Sequence, residues 1–151
     1  MIVGIVGSEA VKFTKLGQQR ARDYITHVLS SPEITGVCSG HCHLGGIDIW
    51  AEEIATELGK ERYIFPPITH SWEQGYKPRN LAIANKSDFV WCISVDKLPS
   101  DYTGMRFNSC YHCDRNAVIP YPPHVKSGGC WTMYQAIKLG KGGNLFVVHN
   151  V

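Results

Sequence analysis

No apolar run in the 151-residue sequence approaches the roughly 20 residues that a membrane-spanning helix needs. The first residues also lack the basic-then-apolar layout of a secretory signal peptide. The sequence has little excess charge of either sign, because 15 Lys and Arg residues against 13 Asp and Glu residues leave a formal net charge of +2. We therefore expect neither a membrane protein, nor a small secreted protein, nor a basic protein that wraps DNA.

Hydrophobic residues make up 44% and charged residues 19% of the chain, a balance typical of a folded globular protein. The length suits a single domain, residues 1–151, that buries a core without disulfide bonds. Six cysteines are many for this length. Because the sequence shows no export signal, we expect a cytoplasmic, reducing setting in which cysteines bind metal or stay as thiols.

Strand and helix patterns alternate along the chain. Short apolar runs predict strands over residues 1–6, 34–38, 63–65, 88–95 and 145–149. Helices are predicted over 15–30 and 47–59, where apolar positions recur at helical spacing, and over 79–86 and 131–139. This order predicts an α/β fold: a Rossmann-like open parallel sheet of about five strands with helices on both faces. Ligands of such sheets bind beyond the carboxyl ends of the strands.

Three glycine-containing segments follow predicted strands or precede predicted helices. They are Gly7 with Ser8, Ser39-Gly40 with Gly45-Gly46, and Ser127-Gly128-Gly129. Glycine lets a ligand approach the backbone closely, and a helix amino end offers unpaired N–H groups to a phosphate. Two such helix starts at one sheet edge predict a nucleotide phosphate site. The alternative is that each segment is an ordinary tight turn.

Two further positions carry groups that suit a nucleotide. Asp48 falls in the first turn of its predicted helix, where it either complements the helix dipole or accepts a hydrogen bond from a ribose hydroxyl. Arg79 and Asn80 follow Pro78 at another predicted helix start. Arginine binds phosphate or carboxylate through two parallel hydrogen bonds, although a surface arginine is the alternative.

The longest segment without predicted secondary structure, residues 96–126, is interpreted as a cysteine-containing insertion. Cys110 and Cys113 form a Cys-x-x-Cys turn, which presents two thiolates to one ion, and His124 follows. The fourth ligand is Cys130 or, less favourably placed, His112. A structural zinc ion would supply the cross-link that this loop otherwise lacks. Two free thiols or a redox pair are the alternatives.

The order of these motifs resembles the SLOG superfamily, which includes LOG-type (lysine-decarboxylase-like) proteins, the DNA-processing protein DprA and YpsA/YspA-like proteins. The resemblance spans nearly the whole chain apart from residues 96–126. It implies a Rossmann-like fold that binds a nucleotide or nucleotide-derived ligand at the glycine turns, and it makes a homo-oligomer an expectation. Residue by residue it points to Gly7, Ser8, Ser39, Gly40, Gly46, Asp48, Arg79, Asn80, Gly128 and Gly129.

This chain departs from the resembled pattern in two places. The segment between Ser39 and Asp48 is about two residues longer and carries His41, Cys42 and His43. These are interpreted as solvated loop residues, with His41 and His43 alternatively as donors to a phosphate or as acid–base groups near neutral pH. The glutamate-containing signature of the LOG phosphoribohydrolases is replaced here, with Tyr134 or Gln135 near the acidic position. The hydrolytic chemistry of those enzymes is therefore not implied.

Three functions follow from these patterns. The leading hypothesis is a protein that binds a small nucleotide-type ligand and acts as its sensor, carrier or sequestering protein. The first alternative is a nucleotide-processing hydrolase of the phosphoribohydrolase or N-glycosidase kind, with Asp48, Glu52 or Glu53 as the carboxylate. The second is a DprA-like module that stacks single-stranded nucleic acid on Tyr102, Phe107, Tyr111 and Tyr121, against which the low net charge speaks.

Overall fold

Residues 1–151 are all described by the computed structural model. Its strands are β1 (Ile2–Gly7), β2 (Gly36–Ser39), β3 (Glu61–Ile64), β4 (Phe89–Val95) and β5 (Gly142–Val148). They form one five-stranded sheet in the order β3-β2-β1-β4-β5, and every neighbouring pair is parallel. The predicted Rossmann-like open sheet with five parallel strands is confirmed.

The helices are α1 (Lys15–Leu29), α2 (Ile47–Glu57), α3 (Lys77–Lys86), α4 (Tyr111–Asn116) and α5 (Gly129–Lys138). Short helical turns also occur at Ala10–Lys12 and Trp72–Tyr76. Helix α4 lies inside the cysteine-containing insertion, where no helix was predicted. No helix combines the length and the apolar character required to cross a bilayer.

Two apolar clusters pack on opposite faces of the sheet. Helices α1 and α2 cover one face, where Ile25 and Ile54 belong to the same buried cluster as sheet residues such as Ile5. Helices α3 and α5 cover the other face, where Ile83 and Met133 join the cluster. Because strand side chains alternate, neighbouring residues such as Ile5 and Val6 enter different clusters. Burial on both faces explains why the central strands read as continuous apolar runs.

The strand order reverses between β1 and β4. From β1 the chain moves outward through α1 to β2 and then through α2 to β3, whereas α3 carries it back to β4 on the other side of β1. The connections that leave the carboxyl ends of β1 and β4 therefore run in opposite directions. A crevice forms where they separate, which is the usual ligand position in sheets of this kind.

The Asn150 side chain connects the end of the chain to the start of α1 through hydrogen bonds. Its Oδ1 accepts hydrogen bonds from the Thr14 N–H at 2.7 Å and the Thr14 hydroxyl at 2.9 Å. Its Nδ2 donates to the carbonyls of Lys12 and Lys97, both at 2.9 Å. Thr14 in turn accepts from the Gly17 N–H at 2.9 Å and caps α1. The Asn150 side chain is buried, so each of these partners depends on it.

We expect Asn150→Ala to lower the free energy of unfolding by about 1–3 kcal/mol, because buried donors and acceptors lose their partners. Urea unfolding followed by circular dichroism measures the change. The matched control is Asn108→Ala at an exposed position, which should leave stability nearly unchanged. Equal effects of the two substitutions would contradict the role given to Asn150.

Candidate functional site

A cleft of about 280 Å³ lies at this crevice, beyond the carboxyl end of β1. Helices α2, α3 and α5 each contribute residues to its wall. The cleft brings together half of the residues that the glycine turns and the SLOG resemblance predicted as ligand-binding. These six are Gly7, Asp48, Arg79, Asn80, Gly128 and Gly129. The other seven lining residues were not predicted to bind the ligand: Val6, Cys42, Trp72, Tyr76, Ile83, Lys126 and Thr132.

The glycines at the cleft allow two backbones to meet. A Cβ atom added to Gly129 would lie 2.9 Å from the Gly7 nitrogen, and one added to Gly7 would lie 2.1 Å from the Ile93 carbonyl oxygen. The amino end of α5 therefore packs directly against the end of β1. Around Gly128, in contrast, no atom lies within 4 Å of an added Cβ, so its backbone faces open space.

The remaining predicted ligand residues lie beside the cleft and do not line it. Ser8 is buried, and its carbonyl accepts from the Ile47 N–H at 3.2 Å. Gly45 and Gly46 have φ angles of +74° and +91°, which favour glycine and bring the loop over Ser8 at the start of α2. The Gly40 carbonyl accepts from Arg79, the Ser39 hydroxyl donates to Glu52, and the Ser127 hydroxyl accepts from the Gly129 N–H. These residues shape the neighbouring backbone.

Asp48 carries a buried carboxylate on the cleft wall. Asp48 is only 8% exposed, and its Oδ2 atom accepts a hydrogen bond from the Cys42 N–H at 3.2 Å. Burial raises the pKa of Asp48 to about 6, against the lowering effects of Arg79 and of the Cys42 hydrogen bond. Arg79 is not in an ion pair with it, because the guanidinium donates to the Gly40 carbonyl at 2.5 Å and to Asn80 Oδ1 at 2.7 Å.

Two cations and two aromatic rings face the same cleft. The Lys126 ammonium lies over the rings of Phe107 and Tyr111, at 4.9 and 5.3 Å from their centroids, so the insertion positions it. Arg79 lies 5.3 Å from the Tyr76 ring centroid. Trp72 is 42% exposed and contacts Trp131 edge-on. The cleft therefore combines positive charge with flat apolar surface.

Glu52 lies outside the cleft, although it was a candidate catalytic carboxylate. It is buried, and its two oxygens are occupied by the last residue of β2 and by the loop that follows. The Ser39 hydroxyl donates to Oε2 at 2.6 Å, and His41 Nδ1 lies 2.7 Å from Oε1. His41 has a φ angle of +50°, so Glu52 holds a strained loop in place. Glu53 pairs with Arg22 at 2.8 Å, which leaves Asp48 as the candidate carboxylate that lines the cleft.

The extended loop after β2 stacks its histidine on a neighbouring ring. His43 lies against His70 with ring centroids 4.3 Å apart, and His70 stacks on Tyr76 at 5.9 Å. Through Tyr76 this stack reaches the cleft wall. The loop after β2 therefore supports one side of the cleft through His43.

A second cluster lies next to the cleft and has the composition of a metal centre. The ligand atoms of Cys110, Cys113, His124 and Cys130 all lie within 4.8 Å of one another, and this group could hold a metal ion. His124 Nε2 is 3.6 Å from Cys113 Sγ and 3.7 Å from Cys130 Sγ. A thiolate and an imidazole nitrogen bound to one tetrahedral zinc ion lie about 3.5 Å apart, so the spacing fits such an ion. His112 is not a member of the group.

Surrounding groups orient the four candidate ligands. His124 Nδ1 lies 2.8 Å from the Pro122 carbonyl, which directs Nε2 toward the sulfur atoms. The Cys110 sulfur accepts a hydrogen bond from the Ser127 backbone, and the Cys113 sulfur accepts one from the Tyr134 hydroxyl. Cys92, fully buried in β4, lies 3.6 Å from Cys130 through their sulfur atoms.

The protonation states of Cys110, Cys113 and Cys130 depend on one another. Hydrogen bonds from Cys113 and Cys130 hold the pKa of the Cys110 thiol below its usual value, and the same bonds raise the pKa of both donors. Burial lowers the pKa of His124, whereas hydrogen bonds to Cys110 and Cys113 raise it, and the result is about 10. Without a cation, the cluster therefore resists further loss of protons, because the thiolate charges would repel one another. A divalent ion removes that repulsion.

The cluster and the cleft share the segment from Lys126 to Cys130. Cys130 is a candidate metal ligand, while Lys126, Gly128 and Gly129 line the cleft. Ser127 connects the two sites: its N–H reaches Cys110, and its hydroxyl accepts from the Gly129 N–H at 3.2 Å. The position of the cleft wall is thus set by the same backbone that carries the cluster.

Comparison with known proteins gives one result about the fold. No protein-family model matches the sequence. No curated protein matches it either. Among solved structures, the chain is similar to the molybdenum cofactor carrier protein MCP from Chlamydomonas reinhardtii, with a TM-score of 0.56 and 16% sequence identity. The likeness covers 95% of this chain and 74% of that chain, and it supports the Rossmann-like α/β architecture.

We expect the purified protein to bind a divalent metal ion and Cys113→Ser to abolish this binding, because one of four converging ligands is lost. Metal analysis by mass spectrometry measures the content, and thermal unfolding before and after chelation measures its contribution to stability. Cys42→Ser is the control, since Cys42 lies outside the cluster. A metal-free protein whose unfolding temperature is indifferent to added zinc would argue against the centre.

We expect Asp48→Asn to stabilise the protein at neutral pH. The folded-state pKa of Asp48, about 6, lies above the ordinary value of 3.8, so its favourable contribution is present below about pH 4 and is lost as the pH rises through 6. Removing the ionisable group should raise the free energy of unfolding above about pH 7 by roughly 1–3 kcal/mol. Urea unfolding across this pH range measures the change, with the exposed Asp101→Asn as control. A loss of stability at every pH would contradict the assignment.

Proposed function

We propose that the protein is a SLOG-like carrier that binds a nucleotide or nucleotide-derived ligand in the cleft. The observation that carries this proposal is that Arg79 and Lys126 line one cleft with the amino end of α5, whose backbone faces open space at Gly128. Its fold is similar to that of a cofactor carrier, MCP. Sensing or sequestering the ligand requires the same binding and belongs to the same proposal.

The phosphate of the ligand would lie at the amino end of α5. The partial positive charge at the amino end of α5 attracts an anion, and the exposed backbone at Gly128 lets one approach. The N–H groups of Gly129, Cys130 and Trp131 already donate to oxygens of Ser127 and Gly128. Lys126 and Arg79 add two positive charges to the lining of the cleft. Arg79 is already fixed by the Gly40 carbonyl and by Asn80, so little side-chain entropy is lost when it meets a phosphate.

The ring of the ligand would lie toward Trp72 and Tyr76. Trp72 is exposed beside the cleft and held edge-on by Trp131, so a flat heteroaromatic ring has a preformed surface to stack on. Asp48 offers a carboxylate oxygen to a ribose hydroxyl or a ring amino group. A cleft of about 280 Å³ is at the small end of ligand pockets and favours a mononucleotide-sized ligand.

Zinc is the ion that we propose for the cysteine cluster. Three thiolates with one imidazole are a structural zinc set, since borderline-soft ions prefer sulfur and nitrogen ligands. All four positions of a tetrahedral ion are then filled by protein, so the ion has no open position for chemistry. Its role would be to cross-link the insertion to α5 and to keep Lys126 and Gly128 at the cleft.

The hydrolase alternative has one supporting observation. Asp48 lines the cleft and has a pKa of about 6, close to the range in which a carboxyl group exchanges protons during catalysis. If turnover occurs, Asp48→Asn should still bind the nucleotide but release no product. The nucleic-acid alternative gains no support, because Phe107 and Tyr111 pack on Lys126 and Tyr121 bonds to Asp114.

We expect Lys126→Gln to weaken binding of a phosphate-bearing ligand about tenfold, or about 1.4 kcal/mol, because one of the two cations is lost. Isothermal titration calorimetry with mono-, di- and cyclic nucleotides and with the molybdenum cofactor identifies the ligand and measures the change. Lys138→Gln, at the exposed end of α5, is the matched control and should bind like the original protein.

A nucleoside without phosphate should bind equally to the original protein and to Lys126→Gln, which separates loss of a phosphate contact from general damage to the cleft. Failure of every compound in the panel to bind would overturn the proposed function. Equal weakening by Lys138→Gln would overturn the specific role of Lys126.

A further inference from the structure

The two edges of the sheet differ in length and charge. The β3 edge has four residues, among them Glu61 and Arg62, and two prolines follow it at Pro66 and Pro67. The β5 edge has seven residues, GGNLFVV, and none is charged. Natural proteins protect sheet edges with short strands, charges or prolines, whereas a long neutral edge invites a further strand. The β5 edge has none of these protections.

The outward-facing groups of β5 follow from its pairing with β4. The Val148 carbonyl accepts from the Asp96 N–H at 3.0 Å, so Val148 bonds toward β4. Because alternate residues of a parallel strand bond to opposite sides, Gly143, Leu145 and Val147 direct their N–H and C=O groups to the open edge. The Leu145 N–H donates only to its neighbour's side chain, Asn144 Oδ1, at 2.9 Å.

Apolar side chains flank this edge on both faces of the sheet. On the α5 face they surround a groove of about 290 Å³ that runs between residues 116–122 and β5. The exposed apolar residues there are Val118 at 96%, Ile119 at 74% and Ile137 at 42%. On the α1 face, Phe146 stacks on Tyr24, beside a mostly apolar groove of about 550 Å³. Contiguous apolar surface of this kind marks an interaction site.

We propose that β5 and these flanking side chains form a homodimer interface in which the β5 strands of two copies pair antiparallel across a two-fold axis. The pairing joins the two five-stranded sheets into one continuous sheet. This inference is independent of the ligand that the cleft binds.

A second copy of this chain is the partner that the edge fits. A two-fold axis beside β5 places the strand antiparallel to itself, so the outward donors at Gly143 and Val147 meet the acceptors of an identical strand. The edge is neutral, so two copies meet without charge repulsion. The apolar groups on each face of the sheet also meet their own counterparts across the same axis.

Val147→Pro tests the interface, because proline removes one outward N–H group and leaves the β4–β5 ladder intact. Val147 belongs to neither core cluster. Ile64→Pro is the matched control at the other edge: the Phe65 N–H donates to the Ser39 carbonyl at 2.9 Å, so the Ile64 N–H faces outward in the same way. Sedimentation velocity over a concentration series measures the mass of each 151-residue protein.

The original protein and Ile64→Pro should sediment at twice the mass of one chain, and Val147→Pro should sediment at the mass of one chain with an unchanged circular dichroism spectrum. A monomeric original protein at every concentration would overturn the proposal. If Val147→Pro does not fold, the double variant Val118→Asp with Ile119→Asp decides, since both side chains are strongly exposed. A dimer that persists in this double variant, with fast amide hydrogen exchange at Gly143 and Val147, would also overturn it.

Discussion

The convergence of Cys110, Cys113, His124 and Cys130 is the constraint on which the candidate site depends. The insertion that carries the first three residues has only one short helix, α4, and a long loop of this kind has little apolar area of its own to bury. A metal ion bound by all four residues would replace that missing core with coordinate bonds. The fourth, Cys130, lies in the first turn of α5, so the cross-link ends at the helix that forms the cleft wall.

From this constraint the rest of the cleft follows through backbone contacts. Ser127 bonds to Cys110 on one side and to Gly129 on the other, and Gly129 packs on Gly7 at the end of β1. On the opposite wall, Asp48 and Arg79 are held by neighbouring backbone groups at Cys42 and Gly40. The sheet supplies the position of the cleft, while the cluster and the loop after β2 supply its chemistry.

Much of the fold could be predicted because its signals are local. The central strands are buried on both faces and read as apolar runs, and α1 and α2 show helical spacing. The Cys-x-x-Cys turn is equally local, and the structure places Cys110 and Cys113 with His124. Gly7 and Gly129 each lie too close to another backbone for a side chain to fit. Their glycine identity is therefore a local signal that the sequence shows.

The missed residues are those whose position depends on tertiary structure. Trp72 and Tyr76 belong to a five-residue π-helical turn, which has no apolar periodicity to reveal it. Lys126 reaches the cleft because the insertion folds back onto α5, a path that no local pattern indicates. Glu52 follows Asp48 by four residues in α2, so the two side chains share one face of the helix, one turn apart. The spacing therefore made Glu52 a candidate but could not show which groups lie beside each turn. The Glu52 oxygens hold Ser39 and His41 instead.

Amide hydrogen exchange in the zinc-loaded and the chelated protein tests the dependence of the cleft on the cluster most directly. If the cluster fixes the cleft wall, removal of the metal should increase exchange at residues 126–130, while the core of the α1 and α2 face, around Ile25 and Ile54, keeps its protection. Unchanged exchange at 126–130 after complete removal of the metal would contradict the account.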